Sequence, residues 1–122
     1  MTDTYEKNDI AGKADSVAVI DIGSNSIRYA AGRNGKKLVI TTRLGSGIAQ
    51  TGRLDEERTE KSISVISALV SNARHSGYVP FAYATSAVRD ASNKFDFINR
   101  IKQKCGITVD VLSGEREAQY AF

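Results

Sequence analysis

Cysteine and histidine each occur once in the 122-residue chain, as Cys105 and His75. A single cysteine excludes an intramolecular disulfide and suits a reducing, cytoplasmic compartment. A single histidine removes a histidine-based metal site and a Ser-His-Asp triad together. No run of about 20 apolar residues exists, so no transmembrane span and no membrane partner is expected. Residues 1–15 are polar and lack the apolar core of a signal segment, and they read as a disordered tail. Basic runs interleaved with aromatics are also missing, which argues against nucleic acid as a partner. Lys and Arg exceed Asp and Glu only by 17 to 14, and they are scattered. That mild surplus suits an anionic ligand without identifying one. Hydrophobic residues at 41% and charged residues at 25% are ordinary for one globular domain with a modest core. No long-period repeat or low-complexity segment interrupts the chain.

The most informative stretch is Asp21-Ile22-Gly23-Ser24-Asn25-Ser26. It follows Val17-Ala18-Val19-Ile20, an apolar run short enough for a strand buried on both faces. Gly, Ser and Asn tolerate tight turns and offer amide and hydroxyl donors that can cradle phosphate oxygens. Asp21 can hold a cation or orient a water. The same residues also suit a plain hairpin turn. No Gly-Lys-Ser/Thr follows, so this is not a Walker loop. Instead Ile27, Tyr29 and Ala31 alternate with Arg28 and Ala30 as in a strand. Asn34-Gly35 signals a two-residue hairpin turn, and residues 38–42 read as a third strand. A phosphate loop inside a β-hairpin is the pattern of actin-like ATPases.

Residues 43–52 hold three glycines and read as a loop that either connects or approaches a ligand. A long helix follows, with Asp55, Glu56 and Glu57 at its start and Ile63, Ile66, Leu69, Val70 and Ala73 at helical spacing. His75 falls in its last turn as a surface residue, and Gly77 stops it. Residues 79–84 form the next strand, with Pro80 near its start. Thr85-Ser86-Ala87-Val88-Arg89-Asp90-Ala91 lies past that strand's C-terminal end, where open α/β sheets bind ligands. Arg89 can fork onto a phosphate or pair with Asp90. Ser92 or Asn93 caps a second helix with Phe95, Ile98 and Ile101 on one face, Cys105 ending that face and Gly106 as its stop. Residues 107–112 read as the fifth strand, and Ser113-Gly114-Glu115-Arg116-Glu117-Ala118 opens another helix. Two carboxylates there also suit the helix dipole alone.

Three segments, 21–26, 84–91 and 113–118, stand in an order and spacing that resembles the exopolyphosphatase / guanosine pentaphosphate phosphohydrolase family. Arg43-Leu44-Gly45 and Thr51-Gly52-Arg53-Leu54 extend the resemblance, which runs from about Val17 to the chain end. It implies an α/β actin-like ATPase (ribonuclease H-like) lobe with a five-stranded mixed sheet. The implied order is βββαβαβα, with the last helix truncated. Residues 16–122 would be the N-terminal lobe of a longer enzyme. The family's second Gly-rich phosphate motif and second lobe are not in the sequence.

The implied chemistry is hydrolysis of a phosphoanhydride in polyphosphate or guanosine pentaphosphate (pppGpp), with Mg²⁺ or another divalent cation. On the motif match, Glu117 rather than Glu115 is the base for water. Gly23, Ser24, Asn25, Ser26 and Arg89 face the phosphate, and Asp21 lies near the metal. Arg116 stands where the family often has a glutamate, and Ser46 where an acid is common. Rival readings are an actin-like small-molecule kinase and a non-catalytic sensor of polyphosphate or (p)ppGpp. The lobe alone is expected to be inactive, and its cleft face to seek a partner, the second lobe or a homodimer.

Overall fold

The structure, a computed structural model, describes residues 16–114. The expected tail at 1–15 and the expected base Glu117 lie outside the described residues. Five strands are formed: β1 (Val17–Ile22), β2 (Ser26–Ala31), β3 (Lys37–Thr41), β4 (Val79–Ala84) and β5 (Val109–Val111). They lie in one sheet in the order β3-β2-β1-β4-β5. β1, β2 and β3 pair antiparallel, while β4 joins β1 and β5 joins β4 in parallel. Parallel neighbours need crossovers. These are supplied by α2 (Glu56–His75) and α4 (Lys94–Cys105), which pack against each other. Two single turns, α1 (Ile48–Thr51) and α3 (Ser86–Arg89), sit in the connections. This is the five-stranded mixed sheet that the resemblance implies. Among the described residues no helix is long and apolar enough to cross a membrane.

The core lies on one side of the sheet. Ala18, Ile20 and Ile22 of β1, Ile27 and Tyr29 of β2, and Ala82 and Ala84 of β4 all point to it. Ile63, Ile66, Val70 and Ala73 of α2 and Phe97 and Ile101 of α4 close it. Asp55 caps α2 by accepting from the Arg58 N–H at 2.9 Å, and Arg74 and His75 occupy its last turn, as the dipole favours.

Several expectations are corrected. β1 is not buried on both faces: Ala18, Ile20 and Ile22 are buried, but Val17, Val19 and Asp21 are only half-buried. Both crossover helices lie on one face, which leaves the other open among the described residues. Asn34-Gly35 does not make a two-residue turn. The β2–β3 connection is longer, closed by Ala31 N–H donating to Lys36 O at 3.0 Å, and Gly32 takes the positive φ of 64°. Gly35 is required for room, since a Cβ there would stand 1.8 Å from Ala31 O.

In α4 the buried stripe is Phe97, Ile101 and Cys105, and Phe95 is 68% exposed. The helix starts at Lys94, and spacing by four rather than three sets which residues face α2 and the sheet. Asn93 occupies the N-cap position without a side-chain cap bond. Its amide instead accepts from Leu54 N at 2.8 Å and donates to Leu54 O at 3.1 Å, tying the start of α4 to the lead into α2. The fifth strand is shorter than expected, with Ile107 and Leu112 buried outside its ladder.

Candidate functional site

The C-terminal ends of β1 and β4 lie side by side, because the two strands run parallel from Val17↔Val79 to Ile22↔Ala84. Residues 23–25 leave the first end and α3 leaves the second. Thr85 N–H donates to Ile22 O at 3.3 Å, and the Ser24 and Ser86 hydroxyls share a hydrogen bond of 3.1 Å. Two of the three motif segments are thus in direct contact. Gly45 fills the remaining space: a Cβ there would lie 2.9 Å from Ser24 Cβ and 3.3 Å from Ala87 Cβ. The loop at 43–52, which reads in sequence more as a connector than as a ligand loop, therefore buttresses the site. Its three-glycine composition was the available signal.

The loop's amides are not equivalent. Gly23 N–H donates to Ser26 O at 3.0 Å, so it closes the turn. Ser24 O accepts from Gly45 N–H at 2.8 Å, and Asn25 O accepts from Thr42 N–H at 3.1 Å and Arg43 N–H at 2.9 Å. The carbonyls therefore point inward to residues 42–45. In a trans peptide the C=O and N–H point opposite ways, so the Asn25 N–H points outward. Neither the Ser24 nor the Asn25 N–H has an acceptor among the described residues. Both residues are exposed.

Arg89 sits in the last turn of α3. One guanidinium nitrogen donates to Leu112 O at 3.0 Å, and Nε lies 3.6 Å from the Asp90 carboxylate. The second contact is the ion pair that the sequence leaves open; the first ties α3 to the end of β5, just before Ser113. Asp21 lies within β1, on the open sheet face, opposite Arg28 of β2 and Tyr83 of β4. Among the described residues no group of three or more His, Cys, Asp or Glu could hold a metal ion. A lone carboxylate suits Mg²⁺ only in the mode where substrate phosphates and waters supply most ligands. His75 is exposed at the far end of α2, as expected, and Cys105 is buried.

Residues 36–122 match the Ppx/GppA phosphatase family. The match begins after residues 23–26. The chain is 32% identical over 115 residues to Exopolyphosphatase 1 of Mycobacterium tuberculosis, spanning 87% of this chain and 33% of that protein. Among solved structures it resembles the Ppx/GppA family member of Aquifex aeolicus, with 37% identity and a TM-score of 0.73 over 86% of this chain and 37% of that one. An exopolyphosphatase from Cytophaga hutchinsonii gives 30% identity and a TM-score of 0.71 over 84% of this chain and 36% of that one. The chain spans about a third of the length of these relatives. A family match over well more than half of the chain, joined to this sheet order, shows that the chain belongs to the Ppx/GppA phosphatase family.

Proposed function

We propose that the chain is the N-terminal lobe of a hydrolase that cleaves a phosphoanhydride of polyphosphate or pppGpp. The observation that supports it most is the Ser24–Ser86 hydrogen bond. It joins two loops at the C-terminal strand ends beside the outward-facing Asn25 N–H, as a phosphate cradle requires. Relatives named exopolyphosphatase favour a hydrolase over a kinase or a sensor.

In this reading the Ser24 and Asn25 N–H groups and the Ser24 and Ser26 hydroxyls hold the terminal phosphoryl group. Glu117, which lies outside the described residues, takes a proton from the attacking water. Arg89, tied to Leu112 O at the exit of β5, faces the phosphate. Asp21, with substrate phosphates, would hold Mg²⁺, which when bound offsets phosphate charge. Phosphoryl transfer is chiefly positioning and charge stabilisation, and this lobe gives one wall of a cleft. The isolated chain therefore binds phosphate but does not turn it over.

Amide chemical shifts of this chain, titrated with tripolyphosphate and Mg²⁺, test the cradle. The largest shifts belong at Ser24 and Asn25, with Gly23 following as the turn adjusts. Shifts centred elsewhere, or none, reduce the loop to a hairpin turn. Replacing Gly23 is a poor test, because a Cβ there would stand 2.9 Å from Ser26 O and distort the turn itself.

The base is tested in a protein of the relatives' full length. There Glu117→Gln should slow phosphate release by about 10²–10⁴ while affinity holds. A mild Glu117→Gln beside a damaging Glu115→Gln would move the base by two residues. Release into water without an acceptor separates a hydrolase from a kinase, and any release at all separates it from a sensor.

A further inference from the structure

The connection between β2 and β3 carries a reactive pair that the phosphate site does not use. Residues 32–36 read Gly-Arg-Asn-Gly-Lys. They lie at the far end of the hairpin from the cradle, since Ala30 pairs with Lys37 there and Ser26 with Thr41 at the cradle end. Asn34 and Gly35 are exposed, and neither the Asn34 side chain nor the Gly35 N–H has a hydrogen-bond partner among the described residues. Arg43 is the only described residue other than glycine with a positive φ, so Asn34 escapes the left-handed backbone that a two-residue type I′ turn would impose. Gly35 cannot be exchanged for a larger residue, because a Cβ would stand 1.8 Å from Ala31 O and 3.3 Å from the Tyr78 hydroxyl. Packing therefore fixes glycine as the residue after Asn34, and glycine leaves its own backbone nitrogen unshielded beside that side chain.

We infer that Asn34 is a self-modification site, at which the chain converts its own asparagine to aspartate and isoaspartate with water as the co-reactant. The Gly35 nitrogen, on losing its proton, forms a bond to Asn34 Cγ. The bond from Cγ to the side-chain nitrogen breaks and ammonia leaves, which closes a five-membered cyclic imide. Water then opens the ring. Attack at Cγ gives aspartate, and attack at the main-chain carbonyl gives isoaspartate. Arg33, Lys36 and Lys37 flank the pair, and their charge favours the anionic intermediate over the neutral amide. The other described asparagines lack this arrangement. Asn72 and Asn99 lie within α2 and α4, where the following N–H belongs to a helical turn. The Asn93 amide is held on Leu54. Asn25 precedes Ser26, whose side chain crowds the attacking nitrogen.

Isoaspartate routes the main chain through the side chain and lengthens it by one methylene between Ala31 and Lys36. The bond of 3.0 Å from Ala31 N–H to Lys36 O closes this connection, and the insertion shifts one partner against the other. A new carboxylate also appears beside the edge strand β3. Both changes fall at one end of the hairpin, while the cradle stands at the other. The modified chain therefore loosens the start of β3 and keeps its phosphate loop. It also presents an isoaspartyl carboxylate, the group on which isoaspartate-specific carboxyl methyltransferases act.

The test follows the 122-residue protein through incubation in mildly alkaline buffer, by peptide mapping with mass spectrometry and by enzymatic carboxyl methylation of isoaspartate. Asn34 should convert about tenfold or more faster than any other described asparagine. The rate should rise with pH, because a neutral amide must lose its proton. Asn34→Gln, which would need a larger ring, should abolish both products. Gly35→Ala is no control, since its Cβ breaks the turn. In the deamidated fraction, separated by ion exchange, hydrogen exchange at Ala31 should quicken by about tenfold or more, with the amide shifts of residues 23–25 unmoved. Asn34→Asp carries the charge without the extra methylene and should keep Ala31 protected. Conversion at Asn34 about a hundredfold slower than in the urea-unfolded chain would overturn the inference, because the fold would then hold the pair apart. Conversion at Asn25 as fast as at Asn34 would overturn it as well. Unchanged exchange at Ala31 in the deamidated fraction would overturn the loosening of β3.

Discussion

The two faces of the sheet carry the same strands but lead different lives. On one, Ala18, Ile20, Ile22 and Ile27 are fully buried under α2 and α4. On the other, Val39 is 66% exposed, Phe81 61% and Val79 57%. The sequence of each strand does not announce this difference, because both sets of alternate positions are rich in apolar residues. A purely amphipathic strand would have polar residues on its open side. These strands do so only in part, where Asp21, Arg28 and Lys37 interrupt the apolar set. Exposure is therefore set by where the crossover helices fall, not by the composition of the strand. A polypeptide with apolar side chains on both sides of β1 and β4 is written for two covered faces.

The largest effects should separate the faces outright. Ile20→Ala removes a fully buried side chain beneath two helices and should cost about 2–5 kcal/mol by chemical denaturation. Phe81→Ala removes a larger side chain from the same sheet, yet should change stability by only about 0.5 kcal/mol, because most of that ring already meets water. A loss of 2 kcal/mol or more at Phe81 would break the comparison and show that the second face is covered in solution.

The rim where β1 and β4 end belongs to neither face, and Gly45→Ala probes it. The added methyl meets Ser24 Cβ at 2.9 Å and Ala87 Cβ at 3.3 Å, both short side chains fixed to backbone that cannot swing aside. Overpacking of this kind costs about 1–3 kcal/mol. The expected result is an intermediate loss, with amide shift changes concentrated at residues 23–26 and 85–88. A neutral Gly45→Ala would mean that the loop and α3 are loosely held and that the Ser24–Ser86 contact is incidental.

Much of the architecture was legible because its signals are local. Short apolar runs and, in β2, alternation gave the five strands, i, i+3, i+4 spacing gave α2, and three motifs in order gave the family. The failures share a cause, since each depends on partners remote in the chain. Phe97 replaces Phe95 in the core because the buried stripe of α4 runs through Phe97, Ile101 and Cys105 where the helix meets α2 and the sheet. Asn93 looks like a cap, but its amide is taken by Leu54, 39 residues away. The Ser24–Ser86 bond spans 62 residues, and the wedge of Gly45 between them depends on that closeness. The bond of Arg89 to Leu112 O likewise depends on the adjacency of β4 and β5, which no single stretch of sequence displays.

One expected effect has the opposite sign and falls on the covered face itself. Tyr29 is 2% exposed, and its hydroxyl has no hydrogen-bond partner among the described residues. Burial pushes its phenol pKa up from the usual 10.0, and the neighbouring Tyr78 adds to the rise. An unpaired buried hydroxyl costs stability, whereas an apolar group of the same shape does not. Tyr29→Phe should therefore gain about 1 kcal/mol near neutral pH, in contrast to the loss at Ile20. The sign of the pH dependence follows from the raised folded-state pKa. The neutral phenol is favoured in the folded chain, so the full contribution is present below about pH 10 and is lost as pH rises above it. Unfolding curves measured between pH 8 and 11 should thus fall less steeply for Tyr29→Phe than for the unmodified chain. A loss of stability on Tyr29→Phe at pH 7 would show that the hydroxyl has a partner, such as a buried water, and that this part of the covered face is not dry.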